Sequence, residues 1–161
     1  MEDVRAQVAQ LYRRYGAMVH RRALWVLGNE ADAHEVLQEV FAALLERPAL
    51  SDLRALSLYS VTTQASLKRL RDQKNRARLL RESVAAGPAR SPLAFNDAVR
   101  VRQALERLPA QLAEVAVYYF IDELSHDDIG NIMGCSRRTV GNLLQRIADW
   151  NRAQEDPCLS R

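Results

Sequence analysis

Apolar residues recur every three or four positions along most of this chain, and no stretch alternates apolar and polar residues for long. That spacing is typical of amphipathic helices, whose buried side repeats every 3.6 residues. Gly28-Asn29, Pro48 and Pro109 interrupt the pattern, as glycine and proline do at helix ends. The pattern predicts five helices, at about 3–27, 32–47, 53–82, 97–108 and 110–121, and two shorter helices after Leu124.

Residues 83–96 lose the helical spacing and contain Gly87, Pro88 and Pro92. Such composition is typical of a flexible linker between domains. A chain of 161 residues with 48% apolar content can bury two small cores. The sequence therefore predicts an all-α protein with two small helical domains joined by a flexible linker. Their limits are predicted as residues 1–82 and 97–152, followed by a polar tail at 153–161.

The stretch from Leu124 to Trp150 has the pattern of a helix, a tight turn and a second helix, so the C-terminal domain is predicted to contain a helix-turn-helix. Ser125 and Ser136 can cap the two helices, and Gly134 can end the first in a left-handed conformation. Arginine can bind a guanine edge and Asn or Gln an adenine edge, while Ser and Thr can contact a base or phosphate. The candidate residues for binding duplex DNA are Ser136, Arg137, Arg138, Thr139, Asn142, Gln145 and Arg146. A helical hairpin whose polar side only keeps the protein soluble is the alternative interpretation.

Charge is unevenly distributed along the chain, although the net charge is only +3. Residues 51–82 hold eight basic and three acidic residues, whereas the flanking segments are slightly acidic. Seven basic residues lie between Lys68 and Arg81, against the single acid Asp72. This density favours contact with nucleic acid, although basic residues near a helix end are also favoured by the helix dipole. The candidates in this segment are Lys68, Arg69, Arg71, Lys74, Arg76 and Arg78.

The polar side of the second predicted helix carries Asp32, Glu35, Gln38 and Glu39. Composition alone predicts that this side is simply solvated.

No group of residues has the pattern of a catalytic or metal site. His20, His34 and His126 belong to different predicted helices, and Cys135 and Cys158 lie far apart in sequence. A phosphate-binding glycine loop and a nucleophile motif are missing as well. The sequence predicts a protein that is not an enzyme and that needs no cofactor or metal. The longest apolar run is too short to span a bilayer, so the sequence predicts no membrane segment and a cytoplasmic location.

Five segments, in this order and spacing, are typical of one family: LYRRYG (11–16), LGNEADAHEVLQEVF (27–41), LYSVTTQASLKRLR (58–71), LERLPAQLAEVAVYYF (105–120) and LSHDDIGNIMGCSRRTVGNLLQR (124–146). With them the chain resembles a bacterial RNA polymerase sigma factor of the extracytoplasmic-function group. That group consists of two helical domains joined by a linker. Ser57 and Gln64 depart from it, since the family usually has tryptophan and asparagine at these places.

The resemblance implies a role for each candidate surface. Asp32, Glu35, Gln38 and Glu39 are expected to bind the clamp helices of the largest catalytic subunit of core RNA polymerase, which replaces the solvated-face interpretation. The second helix of the helix-turn-helix is expected to read the minus-thirty-five promoter element. An anti-sigma factor is a further potential partner. The third helix is expected to hold the minus-ten element through Tyr59, Gln64, Lys68, Arg69, Arg71, Lys74, Arg76 and Arg78.

Two other functions compete with a sigma factor. One is a helix-turn-helix regulator that binds duplex DNA without polymerase. The other is a degenerate sigma-like protein that binds partners but does not initiate transcription.

Overall fold

The computed structural model describes residues 2–46, 55–83 and 97–155, and within these ranges all of the regular structure is helical. The all-α prediction is therefore confirmed. The chain divides into two compact units, Met1–Glu106 and Arg107–Arg161. Its helices are α1 (Glu2–Leu27), α2 (Glu30–Leu45), α3 (Ala55–Ser83), α4 (Asp97–Arg107), α5 (Ala110–Ala116), α6 (His126–Met133) and α7 (Arg137–Glu155), with a π-helical turn at Val117–Ile121 that continues α5.

In the first unit α1, α2 and α3 form a bundle in which each helix contacts the other two. Their apolar stripes meet in a core whose fully buried side chains include Val19, Val26, Val36 and Leu58. Burying one such side chain contributes roughly 1.5 to 3 kcal/mol to stability. Hydrophobic packing of the three stripes therefore positions α2 and α3, the helices that carry the acidic and basic candidate residues.

The turn between α1 and α2 is short because its two residues have suitable conformations. Gly28 has a φ of 67°, which glycine adopts at little cost. The side-chain oxygen of Asn29 accepts hydrogen bonds from the backbone nitrogens of Ala31 at 2.8 Å and Asp32 at 3.2 Å. Asn29 thus caps α2. The sequence pattern identified this residue only as part of a break between helices.

Three buried polar residues of the first unit, Thr62, Thr63 and Arg22, have hydrogen-bond partners. The Thr62 and Thr63 hydroxyls donate to the carbonyls of Leu58 at 2.6 Å and Tyr59 at 2.9 Å, one helical turn earlier. Arg22 is also buried, and its Nε donates to Thr63 Oγ1 at 3.2 Å while its guanidinium carbon lies 4.2 Å from the Tyr59 ring centroid. These contacts connect α1 to the first half of α3.

The second unit packs α5 and α6 against α7. Leu112, Val115, Ile129, Val140 and Ile147 are buried in its core, which holds the helix-turn-helix in place.

Helical spacing predicts that Tyr119 and Phe120 lie in the core of the second unit and that Leu45 lies in the core of the first, and these predictions are wrong. Tyr119 and Phe120 are 38% and 61% exposed. The π-helical turn changes the angle between successive side chains, so that Tyr118 points inward instead and donates to Glu114 at 3.0 Å. Leu45, expected to be buried, is 49% exposed at the end of α2.

Helix limits agree with the predicted ones to within a few residues, which is usual for helix ends. The predicted linker lies outside the described residues except for Ser83, which ends α3. Likewise, α7 continues to Glu155, and residues 156–161 of the predicted tail lie outside the described part. None of the helices that are described is long and apolar enough to cross a membrane.

Candidate nucleic-acid and partner interfaces

The helix-turn-helix has the capped ends that the sequence predicts. The hydroxyl of Ser125 accepts a hydrogen bond from the Asp128 backbone at 3.1 Å, and α6 ends at Gly134 with a φ of 67°. Ser136 then caps α7 by accepting from the backbone nitrogen of Thr139 at 3.1 Å. These local bonds fix where each helix begins and ends.

Gly130 makes the tight turn between α6 and α7 sterically feasible. A Cβ at this position would lie 2.7 Å from the Cys135 carbonyl oxygen, a backbone atom that cannot move aside easily. The same two residues are joined by a hydrogen bond from the Cys135 nitrogen to the Gly130 carbonyl at 2.9 Å. This close approach sets the angle at which α7 leaves the turn.

The outer side of α7 presents most of the predicted DNA-binding side chains. Arg138, Asn142 and Arg146 are exposed at successive turns, whereas Val140, Leu143 and Ile147 are buried on the opposite side. Arginine and asparagine at this spacing on one exposed side can follow a major groove.

The other four candidates on α7 already have partners within the chain. Ser136 is the N-cap of α7, and its hydroxyl is 2.9 Å from that of the half-buried Thr139. Arg137 lies 3.5 Å from Asp127, and Gln145 donates to Asp149 at 3.2 Å. The Arg137 and Gln145 contacts are exposed and therefore weak, so DNA can displace them.

On α2 the acidic candidate residues converge on a single arginine of α3. Arg69 Nε donates to Asp32 at 3.1 Å, one terminal nitrogen donates to Glu39 at 3.1 Å, and the other donates to Glu35. Gln73, which sequence reasoning missed, donates to the second oxygen of Asp32 at 2.6 Å. We call Asp32, Glu35, Gln38 and Glu39 the acidic surface; Gln38 is exposed beside these pairs.

Burial differs within the acidic surface. The side chains of Arg69 and Asp32 are 24% and 20% exposed, whereas those of Glu35 and Glu39 are 58% and 60% exposed. Desolvation by burial lowers the pKa of Arg69, but the hydrogen bonds and charges of Asp32 and Glu35 outweigh it and raise that pKa above its ordinary value. Arg69 is therefore a permanent cation that neutralises part of this surface.

The basic candidates on α3 separate into two sides of the helix. Gln64 and Lys68 are exposed and Arg71 is half-buried, and their spacing of four and three residues places them on one side. Lys74 and Arg78 are exposed on the same side as Lys68 and Arg71, and we call these four residues the basic side of α3; Arg76 is exposed as well. Arg69 instead faces α2, and Tyr59 is half-buried under Arg22. The structure thus brings Arg69 together with the acidic surface, although the sequence grouped it with the DNA-binding residues.

Two of the histidines are close together in the structure, although they belong to different helices as predicted. The ring centroids of His20 on α1 and His34 on α2 lie 4.6 Å apart, because the short turn at Gly28 and Asn29 folds α2 back along α1. Glu30 is next to them, with its Oε1 3.1 Å from His20 Nε2.

Two protein-family models match this chain. The family model for sigma-70 region 2 matches residues 11–76, and the model for sigma-70 region 4 matches residues 98–148. Among curated proteins none matches. A solved structure of the sigma factor RpoE in complex with the anti-sigma factor NepR from Bartonella quintana is similar at a TM-score of 0.49 and 18% identity, covering 95% of this chain and 98% of that one.

The two family models together cover most of the chain. The region 2 match precedes the region 4 match, and residues 77–97 lie between them. That order is the one implied by the resemblance to the extracytoplasmic-function group. The chain belongs to the sigma-70 family of RNA polymerase sigma factors, which direct transcription initiation at promoters.

Proposed function

We propose that this sigma factor divides its contacts among three helices. The acidic surface on α2 binds the clamp helices of the largest catalytic subunit of core polymerase. The basic side of α3 holds the minus-ten element, and α7 reads the minus-thirty-five element in the major groove. The observation that carries the proposal is the separation of charge between neighbouring helices, with Glu35 and Glu39 exposed on α2 and Lys68 and Lys74 exposed on α3.

Arg69 supports a preformed acidic surface on α2. A long glutamate side chain loses rotamer freedom when it binds a partner, and this loss opposes association. Because Arg69 already orders Glu35 and Glu39, less of that freedom remains to be lost on binding. A basic partner can then compete for these two exposed carboxylates, while Asp32 stays with Arg69 and Gln73.

Charge reversal tests the polymerase contact. We expect the double variant Glu35→Lys and Glu39→Lys to bind core polymerase on the order of tenfold more weakly, because the attraction becomes a repulsion. Asp3→Lys is the matched control, since Asp3 is an exposed acid on α1 outside the region 2 match. Circular dichroism should show the same helix content in both variants. Unchanged affinity of the folded double variant would contradict the proposed docking surface.

We propose that the basic side of α3 binds a single DNA strand. Exposed lysines along one helix can track a phosphate backbone, and base recognition needs additional stacking or pocket contacts. The Tyr59 ring is half-buried with Arg22 over one face, so contacts within the first unit fix its position. Capture of the minus-ten strand by this side is supported by the charge and the family match.

A degenerate sigma-like protein that occupies polymerase without initiating remains the second candidate. Ser57 favours it, because this exposed residue at the start of α3 provides no aromatic ring where the family usually has one. Run-off transcription with purified core polymerase and a library of genomic promoter fragments distinguishes the two. Defined transcripts that require this protein support a sigma factor, whereas polymerase binding without transcripts supports the degenerate form.

The proposed function also bears on where the protein acts and on an anti-sigma factor as a partner. A sigma factor works where polymerase and promoter DNA are, which places its action in the cytoplasm. An anti-sigma factor as a partner stays a prediction of the family resemblance.

A further inference from the structure

A cluster of three potential metal ligands lies on the first unit, apart from the residues assigned to polymerase or DNA. It consists of His20 on α1 and of Glu30 and His34 on α2, whose ligand atoms all lie within 4.8 Å of one another. The two imidazole rings meet edge to face at 4.6 Å, and His20 Nε2 lies 3.1 Å from Glu30 Oε1.

The fold brings these three side chains together through short-range geometry. Asn29 caps α2, so Glu30 is the first residue of that helix, and His34 follows four residues later on the same side. Packing of α1 against α2 places His20 opposite both of them. The cluster is therefore built on two rigid helices.

His20 has an unmet requirement for a polar partner. Its Nε2 atom is inaccessible to solvent and has no hydrogen-bond partner among the described residues, since the approach to Glu30 lacks hydrogen-bond alignment. A buried polar atom without a partner is costly, and a bound water or ion is one way in which such an atom is satisfied. A metal ion bound to Nε2 would satisfy it.

We propose that His20, Glu30 and His34 bind a divalent transition metal, with Zn²⁺ as the ion that fits best. Two imidazole nitrogens and one carboxylate oxygen form a common zinc ligand set that leaves a fourth position for water. Tetrahedral zinc with bonds of about 2.0 Å needs ligand atoms about 3.3 Å apart, close to the 3.1 Å between His20 and Glu30. His34 is exposed and can rotate to close the wider separations.

Metal binding would join α1 to α2 and stabilise the first unit. A ligand that binds only the folded state raises Tm in proportion to the logarithm of its concentration. At a zinc concentration about a hundredfold above Kd, the Tm of this unit should rise by roughly 10 °C.

Cobalt titration of the full chain tests the site directly. Co²⁺ is the probe, because its visible absorption bands report the number and geometry of its ligands. The titration uses a variant with Cys135→Ser and Cys158→Ser, so that thiolates do not contribute. We expect one equivalent of Co²⁺ to bind in a four- or five-coordinate site, and Zn²⁺ to displace it.

His34→Gln is the decisive variant, since His34 is exposed and its loss leaves the core intact. It should bind Co²⁺ at least tenfold more weakly and lose the zinc-dependent rise in Tm. His126→Gln is the matched control on α6, and it should behave as the parent does. Equal binding by parent and His34→Gln would overturn the proposal, as would the absence of binding, which would leave His20 and Glu30 as a contact between two side chains without a metal. Neither result depends on polymerase or promoter DNA.

Discussion

Two glycines of the helix-turn-helix have opposite surroundings, and substitution by alanine should have opposite effects. A Cβ on Gly130 would meet the Cys135 carbonyl oxygen at 2.7 Å, whereas a Cβ on Gly141 meets no atom within 4 Å. We expect Gly130→Ala to destabilise the second unit by about 1 to 3 kcal/mol through this overlap. Gly141→Ala should stabilise it by about 0.5 to 1 kcal/mol, because alanine favours a helix interior.

Hydrogen exchange of the α6 and α7 amides measures this unit separately from the first. Faster exchange in Gly130→Ala and slower exchange in Gly141→Ala are the expected results. Equal protection in the two variants would show that the turn is less constrained than its backbone contact indicates.

Arg69 binds three carboxylates whose contributions should differ with their burial. Asp32 is 20% exposed and also accepts from Gln73, whereas Glu39 is 60% exposed. Because water screens exposed ion pairs, we expect a coupling energy of about 1 to 2 kcal/mol between Arg69 and Asp32, and less than about 0.5 kcal/mol between Arg69 and Glu39. Double-mutant cycles with Arg69→Gln, Asp32→Asn and Glu39→Gln, followed by urea unfolding, give both values.

That ranking separates structural from functional acids on α2. If Asp32 mainly holds α2 to α3, its loss should affect stability more than polymerase binding. The reverse ranking of coupling energies would give the structural role to Glu39 and not to Asp32.

At the scale of single elements, the helix ends were predictable because their causes are local. Ser125, Gly134 and Ser136 act within three or four residues of their own positions, so the sequence pattern identified them. The partners of Arg69 were not predictable, because its acids lie at least 30 residues away in sequence. The burial of Tyr119 and Phe120 was predicted wrongly for another reason. The prediction assumed a regular period of 3.6 residues, which does not hold in a π-helical turn.

On α7, we expect the exposed side to determine the upstream promoter sequence. Arg138→Ala or Asn142→Ala should each cost on the order of 1 to 3 kcal/mol in binding and relax the preference at one base position. Arg137→Ala and Gln145→Ala should have smaller effects. To contact DNA, these two side chains must first break their contacts with Asp127 and Asp149, which lowers their net contribution to binding. Selection from promoters randomised in the minus-thirty-five element measures all four.

Arg152→Ala is the control for α7, since Arg152 is exposed in its last turn and pairs with Asp149. It should leave the selected sequence unchanged. If alanine at all four predicted positions also leaves that sequence unchanged, α7 is not the helix that reads the promoter.

On α3, the exposed lysines should control the salt dependence of DNA binding. Each phosphate contact to a single strand contributes about 0.7 to the slope of log K against log salt. Lys68→Gln and Lys74→Gln should therefore each lower this slope in holoenzyme binding to a forked promoter fragment. Arg69→Gln is the contrasting variant. It should leave the slope unchanged, because Arg69 already binds carboxylates of α2. A lower slope in Arg69→Gln would mean that Arg69 exchanges its carboxylates for phosphate.

At the scale of the whole molecule, the family was predictable because the order of its segments is itself a signal. Each of the five segments is weak alone, but two regional models cover the same stretches in the same order. The pairing of His20 with His34 was not predictable in this way. It depends on which sides of α1 and α2 face each other, and helical spacing alone does not determine this.

Promoter melting depends on the whole complex, and Ser57 is expected to weaken it. An aromatic side chain can replace the stacking that a base loses when the duplex opens, contributing roughly 1 to 3 kcal/mol per base, and serine cannot. Negative supercoiling lowers the cost of opening. We therefore expect this protein to open supercoiled promoters, or those with an AT-rich minus-ten region, better than linear ones.

Permanganate footprinting on linear and supercoiled forms of one promoter measures the opening. Ser57 is exposed at the start of α3, so Ser57→Trp can be accommodated and should shift opening toward the linear template. Ser60→Trp, one turn further along α3 at a half-buried position, is the control for added bulk and should give no such gain. Equally strong opening of both templates by the unmodified protein would remove the role of Ser57, whereas no opening of either template would favour the degenerate sigma-like form.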